Sequence, residues 1–196
     1  KVPVADADRI LSVLEAGDLV ITKRAHYRQF DSYFVFEAED PDAARLRYRE
    51  DEFVDDEGKV YQVRTRLTLL GEAREQEFPN AVMLSRSRWL APAEQSLRFY
   101  REYFAPDVEV EVHKDRLRWR ILYRDTDFAV NLDKVIKPNI GDQFLEIKSR
   151  TWSRTDAERK AGLISELLEM FGVEPGSAEP RDYPDLALER PLKNTT

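Results

Sequence analysis

The sequence contains no cysteine and only two histidines among its 196 residues. The absence of cysteine excludes disulfide bonds and thiolate chemistry, and it is typical of a cytosolic protein. His26 and His113 lie too far apart along the chain to predict a metal site built on histidine. The sequence therefore gives no sign of a histidine-based or thiolate-based active centre.

Glycine is also scarce, with seven residues, and none of them forms the motif G-x-x-x-x-G-K or G-x-G-x-x-G. If the protein binds phosphates, side-chain cations must hold them, because no glycine-rich loop is available at a helix N-terminus. No apolar run approaches the length of a membrane span, and no secretory signal pattern is visible. We therefore expect no membrane partner and a cytoplasmic location.

Charged residues, by contrast, make up 35% of the chain, beside 42% hydrophobic residues. This length and composition predict a folded domain with a real core. The net charge of −7 argues against nucleic acid as a partner, since nucleic-acid-coating surfaces are normally basic. A local cationic groove remains compatible with that charge, and nothing in the sequence indicates the oligomeric state.

The most distinctive pattern is the stretch from residue 114 to residue 120, in which cations alternate with mostly apolar residues. Because successive side chains of a strand point to opposite faces, these cations would share one face. Two earlier stretches repeat the pattern, and carboxylates follow at Asp133 and Glu146. Such a face suits a highly charged anion with a metal, but taken alone the pattern is more typical of an ordinary solvated sheet face. The in-phase cations are Arg45, Arg47, Arg49, Arg64, Arg66, Lys114, Arg116, Arg118 and Arg120.

The periodicity predicts about eight short strands and three helices, namely a short one ending near residue 16, one over 92–104 and one over 156–171. This pattern indicates an α+β protein dominated by antiparallel sheet. If the helices cover the outer face, the cations face inward. The sheet would then close into an eight-stranded antiparallel β-barrel, wide enough for one small ligand. We expect this domain to cover residues 1–172 and residues 173–196 to form an extended C-terminal tail.

Several separated segments resemble CYTH-domain proteins, the triphosphate tunnel metalloenzymes. Gln29-Phe-Asp-Ser-Tyr-Phe34 followed by Leu46-Arg-Tyr-Arg49 resembles their Q-x-D-T-Y-F and L-R-I-R segments. Lys114-Asp-Arg116-x-x-Trp119 resembles their K-x-R-x-x-aromatic strand. Leu132-Asp-Lys-Val135 with Gly141-x-x-Phe144-x-Glu146 resembles their closing segments. Lys1-Val-Pro-Val4 is similar to the end of their opening E-x-E-x-K strand, and we expect its glutamates just upstream.

The resemblance covers roughly residues 1–172 and implies an eight-stranded tunnel that binds a triphosphate together with Mg²⁺ or Mn²⁺. Basic residues would contact phosphate oxygens, and acidic residues would hold the metal directly or through water. No catalytic residue is assigned. The implied phosphate-binding residues are Lys1, Arg47, Arg49, Lys114 and Arg116, and the implied metal-binding residues are Glu77 (or Glu75), Asp133 and Glu146.

Two departures from the family pattern bear on the chemistry. Leu70 stands where the family has a phosphate-binding lysine, and Arg64 or Arg66, which share its phase, would substitute for it. Lys148 stands where the family has its last glutamate. A cation there repels a metal, but it would bind an acidic substrate group or pair with Glu146. This departure weakens the expectation of ordinary two-metal catalysis.

The resulting prediction is metal-dependent hydrolysis of a triphosphate, whether inorganic tripolyphosphate, a nucleoside triphosphate or thiamine triphosphate. Two alternatives stay open. The first is a CYTH-type adenylyl cyclase that makes cyclic AMP from ATP, and the second is a non-catalytic module that binds polyphosphate or nucleotide. The departures at Leu70 and Lys148 motivate the second alternative.

Overall fold

A computed structural model describes residues 1–36, 45–71, 87–140 and 143–189. It is an α+β structure with eight strands in one sheet and four helices. The strands are β1 (Val2–Val4), β2 (Val20–Val35), β3 (Arg45–Val54), β4 (Val60–Leu70), β5 (Ser87–Pro92), β6 (Val108–Tyr123), β7 (Thr126–Lys137) and β8 (Gln143–Lys148). The helices are α1 (Ala7–Glu15), α2 (Leu97–Phe104), α3 (Arg154–Met170) and α4 (Tyr183–Glu189).

All neighbouring strands pair antiparallel, in the order β1, β8, β7, β6, β2, β3, β4, β5. The sequence predicted this antiparallel sheet and the α+β class, and both are confirmed. The register places Asp31 opposite Arg49 and Arg116 opposite Asp133. Residues that face each other directly across an antiparallel pair have neighbouring side chains. The register thus brings opposite charges together on one face of the sheet.

The other face of the sheet is apolar and covered by helices. Ile10 of α1 and Leu167 of α3 pack on buried residues of β6, β7 and β8, such as Ile121 and Val130. Tyr100 of α2 joins a second cluster with residues of β2, β3 and β4. The cations of the alternating strands therefore lie on the side of the sheet away from these three helices, as their phase predicted.

Side-chain caps define where the helices begin. The Asp6 carboxylate accepts a hydrogen bond from the backbone of Arg9, and the Ser153 hydroxyl accepts one from the backbone of Asp156. These caps confirm the predicted starts of α1 and α3. The predicted start of α2 at Pro92 is wrong, because Ser96 caps this helix and Pro92 ends strand β5. Proline is tolerated there because β5 lies at the edge of the sheet that the described residues form, where one side of the strand has no backbone hydrogen bonds to make.

The sheet has two edges within the described residues. Its order begins at β1 and ends at β5, and no ladder joins these two strands in the part of the chain that the structure describes. The predicted antiparallel sheet is therefore present, whereas the predicted closure into a barrel by backbone hydrogen bonds is not seen among these residues.

Part of the segment after residue 172 is folded onto the sheet. It contains a 3₁₀ turn, Pro175–Ser177, and then α4, whose Tyr183 is buried against Val112 and Phe144. The backbone amide of Glu179 donates to the carbonyl of Lys1 over 2.8 Å. A helix thus stands where the sequence predicted an extended tail, while the domain boundary at residue 172 stays a prediction. None of the described helices has both the length and the apolar character that a membrane span requires.

Candidate functional site

The polar face of the sheet is built around three buried carboxylates, each paired with arginine. The first is Asp31 on β2, which receives two bonds from Arg49, Nε to Oδ1 over 2.5 Å and Nη2 to Oδ2 over 2.6 Å. Lys114 Nζ lies 3.5 Å from the same carboxylate. Burial alone would raise the pKa of Asp31, but the charges of Arg49, Lys114 and Arg47, together with the hydrogen bonding of Arg49, hold this pKa well below its ordinary value. Asp31 is therefore ionised.

The second carboxylate is Asp133 on β7. Arg116 binds it through Nε and Nη2, each over 2.5 Å, and also reaches Glu146 Oε2 over 3.0 Å. Lys148 Nζ lies 2.9 Å from the other Glu146 oxygen. Burial would raise the pKa values of both acids, but the guanidinium of Arg116 lowers that of Asp133, and Lys148 followed by Arg116 lowers that of Glu146. Two ionised acids therefore meet at one guanidinium.

The third carboxylate is Asp51 on β3. It accepts bonds from Arg64 over 2.9 Å and from Arg66 over 2.5 Å, and a further one from the amide of Gln29. Both arginines therefore pair with Asp51 in this structure, and their substitution for the lysine missing at position 70 stays a prediction. The residue directly opposite Leu70 is Arg45, so a cation is still present at that level of the sheet.

Some cations on this face have no carboxylate partner among the described residues. Arg47 donates to the Thr68 hydroxyl over 3.3 Å and lies 5.9 Å from the centroid of the Tyr33 ring. Its Nε is buried without a hydrogen-bond partner. Arg118 donates from Nε to the Asn131 side chain over 2.6 Å, and no carboxylate in the described ranges pairs with it. Counted over the described residues, the face therefore carries more positive than negative charge.

The pKa of Lys114 shows that it is unfavourable to keep these cations charged and buried. The side chain is 2% exposed, and burial lowers its pKa to about 7, with a further contribution from Arg116. A buried cation is unfavourable unless it is paired and hydrogen-bonded. A bound polyanion would supply the missing negative charge, because it would pair with several of these cations at once.

Helix α4 reaches the same face. The Tyr183 hydroxyl donates to Asp133 Oδ2 over 2.8 Å, and Lys114 Nζ lies 4.7 Å from the centroid of the Tyr183 ring. Asp185 binds Arg45 over 2.5 Å. Sequence reasoning missed Tyr183 and Asp185, because nothing in the sequence connects a short segment near residue 185 to strands so distant along the chain.

The structure brings together most of the residues that the sequence singled out. Arg47, Arg49, Lys114 and Arg116 lie at the centre of the face, and Lys148 pairs with Glu146. Lys1 lies at its edge, with Nζ 4.9 Å from the centroid of the Tyr183 ring. Asp31 and Asp51 were missed, although Asp31 shares the phase of Gln29 and Tyr33 on one strand and could have been found from it.

A metal centre is not preformed among the described residues, which contain no group of three or more possible His, Cys, Asp or Glu ligands. Glu75 and Glu77 lie outside the described residues. Asp133 and Glu146 do meet, and Mg²⁺ is commonly held by one or two carboxylates together with substrate phosphates and water. The two acids therefore fit a metal that arrives with a phosphate ligand, rather than one bound by the protein alone.

The fold and the site together define an α+β protein with a cationic, carboxylate-lined sheet face. No protein-family model matches the chain, and no curated protein matches it. Solved structures do resemble it. The PH1819 protein from Pyrococcus horikoshii OT3 has a TM-score of 0.67 at 18% identity, over 96% of this chain and 97% of that one. The PH1012 protein from the same organism has a TM-score of 0.62 at 17% identity, over 94% and 98%.

A candidate adenylate cyclase from Vibrio parahaemolyticus is also similar, with a TM-score of 0.62 at 13% identity over 94% of this chain and 93% of that one. At these identities the similarity shows the fold alone. It is consistent with the CYTH-like fold that the sequence resembles.

Proposed function

We propose that the chain binds the triphosphate group of a small molecule on the cationic face and hydrolyses it with the help of Mg²⁺ or Mn²⁺. The observation that carries this proposal is the excess of positive charge, among the described residues, around Arg47, Lys114 and Arg118. A protein does not bury unpaired cations without cost. A function that brings negative charge to them explains why they are kept.

The layout of the cations favours a chain of phosphates over a single phosphate. From Lys114 to Arg118 the cations of β6 extend over about 13 Å along the strand. Arg47 and Arg49 of β3 add cations from the other side of β2. Guanidinium groups suit this role because their planar fork of donors matches phosphate oxygens. In the proposed complex, the two strands hold successive phosphates between them.

Asp133 and Glu146 are the residues that would hold the metal. A bound divalent cation neutralises phosphate charge and makes a water molecule more nucleophilic. Arg116 fixes both carboxylates in position, and the other cations orient the phosphates and stabilise the charge that develops on them. Asp133 also accepts a bond from Tyr183, which would have to be exchanged or shared when a metal binds.

Two observations support other functions on the same face. The structural similarity to a candidate adenylate cyclase supports cyclic AMP formation from ATP. The pairing of both Glu146 oxygens with cations supports binding without turnover. A cytoplasmic location agrees with the lack of cysteine and stays a prediction.

Product analysis with the full-length protein tests these proposals. Tripolyphosphate, ATP and thiamine triphosphate are incubated with Mg²⁺ or Mn²⁺, with an excess of chelator as the control. Chelator-sensitive release of phosphate supports the hydrolase. Cyclic AMP with pyrophosphate supports the cyclase, and binding measured by calorimetry without products supports the binding module. If none of these compounds binds, the proposed function is wrong.

A further inference from the structure

The polar face becomes steadily more exposed toward one end of the sheet. On β4, Thr68 is 1% exposed and the side chain of Arg64 is 41% exposed. On β8, Phe144 is buried and the side chain of Lys148 is 58% exposed. On β6, Lys114 is buried, Arg118 half-buried and Arg120 exposed. Three strands thus show the same gradient, which defines a buried end and an exposed end of the site.

Helix α4 fills the buried end. Tyr183 packs there with Tyr33, Val112 and Phe144 in an apolar cluster. Asp185 adds a carboxylate, bound to Arg45. A polyanion approaching from this side would meet apolar packing and a negative charge. Within the part of the chain that the structure describes, access to the central cations is therefore easier from the exposed end.

Aromatic rings and guanidinium groups alternate toward the exposed end, where Tyr27 is still buried, Phe53 and Arg118 are half-buried, and Arg64 is exposed. Arg118 lies 5.3 Å from the centroid of the Tyr27 ring, and this ring meets Phe53 edge-on at a centroid distance of 4.9 Å. Arg64 lies 4.9 Å from the Phe53 centroid. The Arg118 side chain is fixed by its bond to Asn131. We call Tyr27, Phe53, Arg64 and Arg118 the aromatic mouth.

We propose that the aromatic mouth selects the organic group of the substrate, and that this group is a planar ring. The inference rests on the proposed function. The terminal phosphate lies toward Lys114 and Arg47, and the ring that carries the triphosphate lies between the mouth and solvent. Aromatic rings and guanidinium groups both stack face-to-face on planar rings, and this stacking depends little on which planar ring is bound. Inorganic tripolyphosphate has no such group, so the mouth contributes nothing to its binding.

The test compares the β,γ-imido analogue of ATP with the imido analogue of tripolyphosphate, which resist hydrolysis, by calorimetry on the full-length protein with Mg²⁺. The variant Phe53→Leu keeps an apolar side chain but removes the ring. We expect about a tenfold loss of affinity for the ATP analogue, the size of one stacking contact, and unchanged affinity for the tripolyphosphate analogue. The matched control is Phe99→Leu, which removes a half-exposed ring of α2 on the opposite face of the sheet and should change neither affinity.

The unchanged tripolyphosphate affinity also shows that the variant is folded. An equal loss of affinity for both ligands, or no loss for either, would overturn the role of the aromatic mouth.

Asp185→Asn tests the orientation of the substrate in the site. A change at the end that holds the terminal phosphate should alter the affinities for both ligands by the same factor. If Asp185→Asn changes the ratio of the two affinities and Phe53→Leu does not, the substrate lies the other way round. If the wild-type protein binds neither ligand, the proposed function is wrong, and so is this inference, which rests on it.

Discussion

At the scale of single residues, Arg47 is the cation on which the account depends most. It is partly buried, its Nε has no hydrogen-bond partner, and no described carboxylate forms a salt bridge with it. Replacing Arg47 with alanine removes a hydrogen bond to a charged group, which is worth roughly 1.5–3 kcal/mol. Tripolyphosphate affinity should therefore fall at least tenfold, as measured by calorimetry. Arg120→Ala is the control, because Arg120 shares the phase of the face but is exposed at its end. Equal effects of the two substitutions would contradict our assignment of the site.

We expect Lys114 to lower the stability of the folded protein and to strengthen the binding of a polyanion. Lys114→Met removes a buried charge whose pKa is lowered to about 7, so we expect a higher melting temperature and weaker tripolyphosphate binding. Below about pH 7 the variant has its full gain in stability over the wild-type protein, because Lys114 is then charged in both the folded and the unfolded wild-type protein. It shrinks as the pH rises toward the ordinary lysine value of 10.5, because the folded wild-type protein then releases a proton that its unfolded state keeps.

Thermal melts of both proteins between pH 6 and about 10 would show this trend. Lys134→Met is the control, since Lys134 is exposed on the neighbouring strand and its replacement should change stability by no more than about 0.5 kcal/mol. A Lys114→Met protein that melts below wild type across this range would show that the buried ammonium stabilises the fold.

Lys148 occupies a position next to a proposed metal ligand. Its ammonium lies 2.9 Å from Glu146, so Lys148→Glu replaces a repulsive charge with a third carboxylate near Asp133 and Glu146. We expect tighter Mg²⁺ binding, measured by calorimetry in the presence of tripolyphosphate. Unchanged metal affinity would place the metal elsewhere, and a loss of tripolyphosphate binding would show that Lys148 contacts the substrate.

At the scale of elements, the sequence predicted those strands whose alternation is regular and those helices that have caps and an apolar stripe. Strand β6 and helix α3 are examples. Helix α4 was missed because seven residues are too few to form a stable helix alone, and contacts of Tyr183 with the sheet stabilise it. The phase of the strands predicted which cations share a face. It could not predict that Arg116 pairs with Asp133 or Arg64 with Asp51, because pairing depends on the register between strands.

The attachment of α4 can be tested through its buried hydroxyl. Tyr183→Phe removes the donor to Asp133 and keeps the ring against Phe144. We expect a loss of about 1 kcal/mol in the free energy of unfolding, measured by urea titration. Tyr103→Phe is the matched control, because Tyr103 is 73% exposed. If both variants unfold at the wild-type urea concentration, the Tyr183 bond does not hold α4 on the sheet.

At the scale of the whole molecule, the chain is acidic and yet places a cluster of cations, which includes Arg47, Lys114 and Arg118, on one face of the sheet. The net charge of −7 predicts no affinity for polyanions in general. The helices α1, α2 and α3 cover the opposite face, so the cationic face is available to a ligand while α4 closes one end of it. This local cluster of cations makes a small, highly charged anion the expected ligand.

The most direct test of that expectation is a calorimetric titration of the full-length protein with tripolyphosphate and Mg²⁺, with orthophosphate as the comparison. The account predicts one site per chain, an affinity for tripolyphosphate at least tenfold above that for orthophosphate, and a higher melting temperature in the bound state. An absence of binding, or equal affinities for the two anions, would contradict the claim that the buried cations form a triphosphate site.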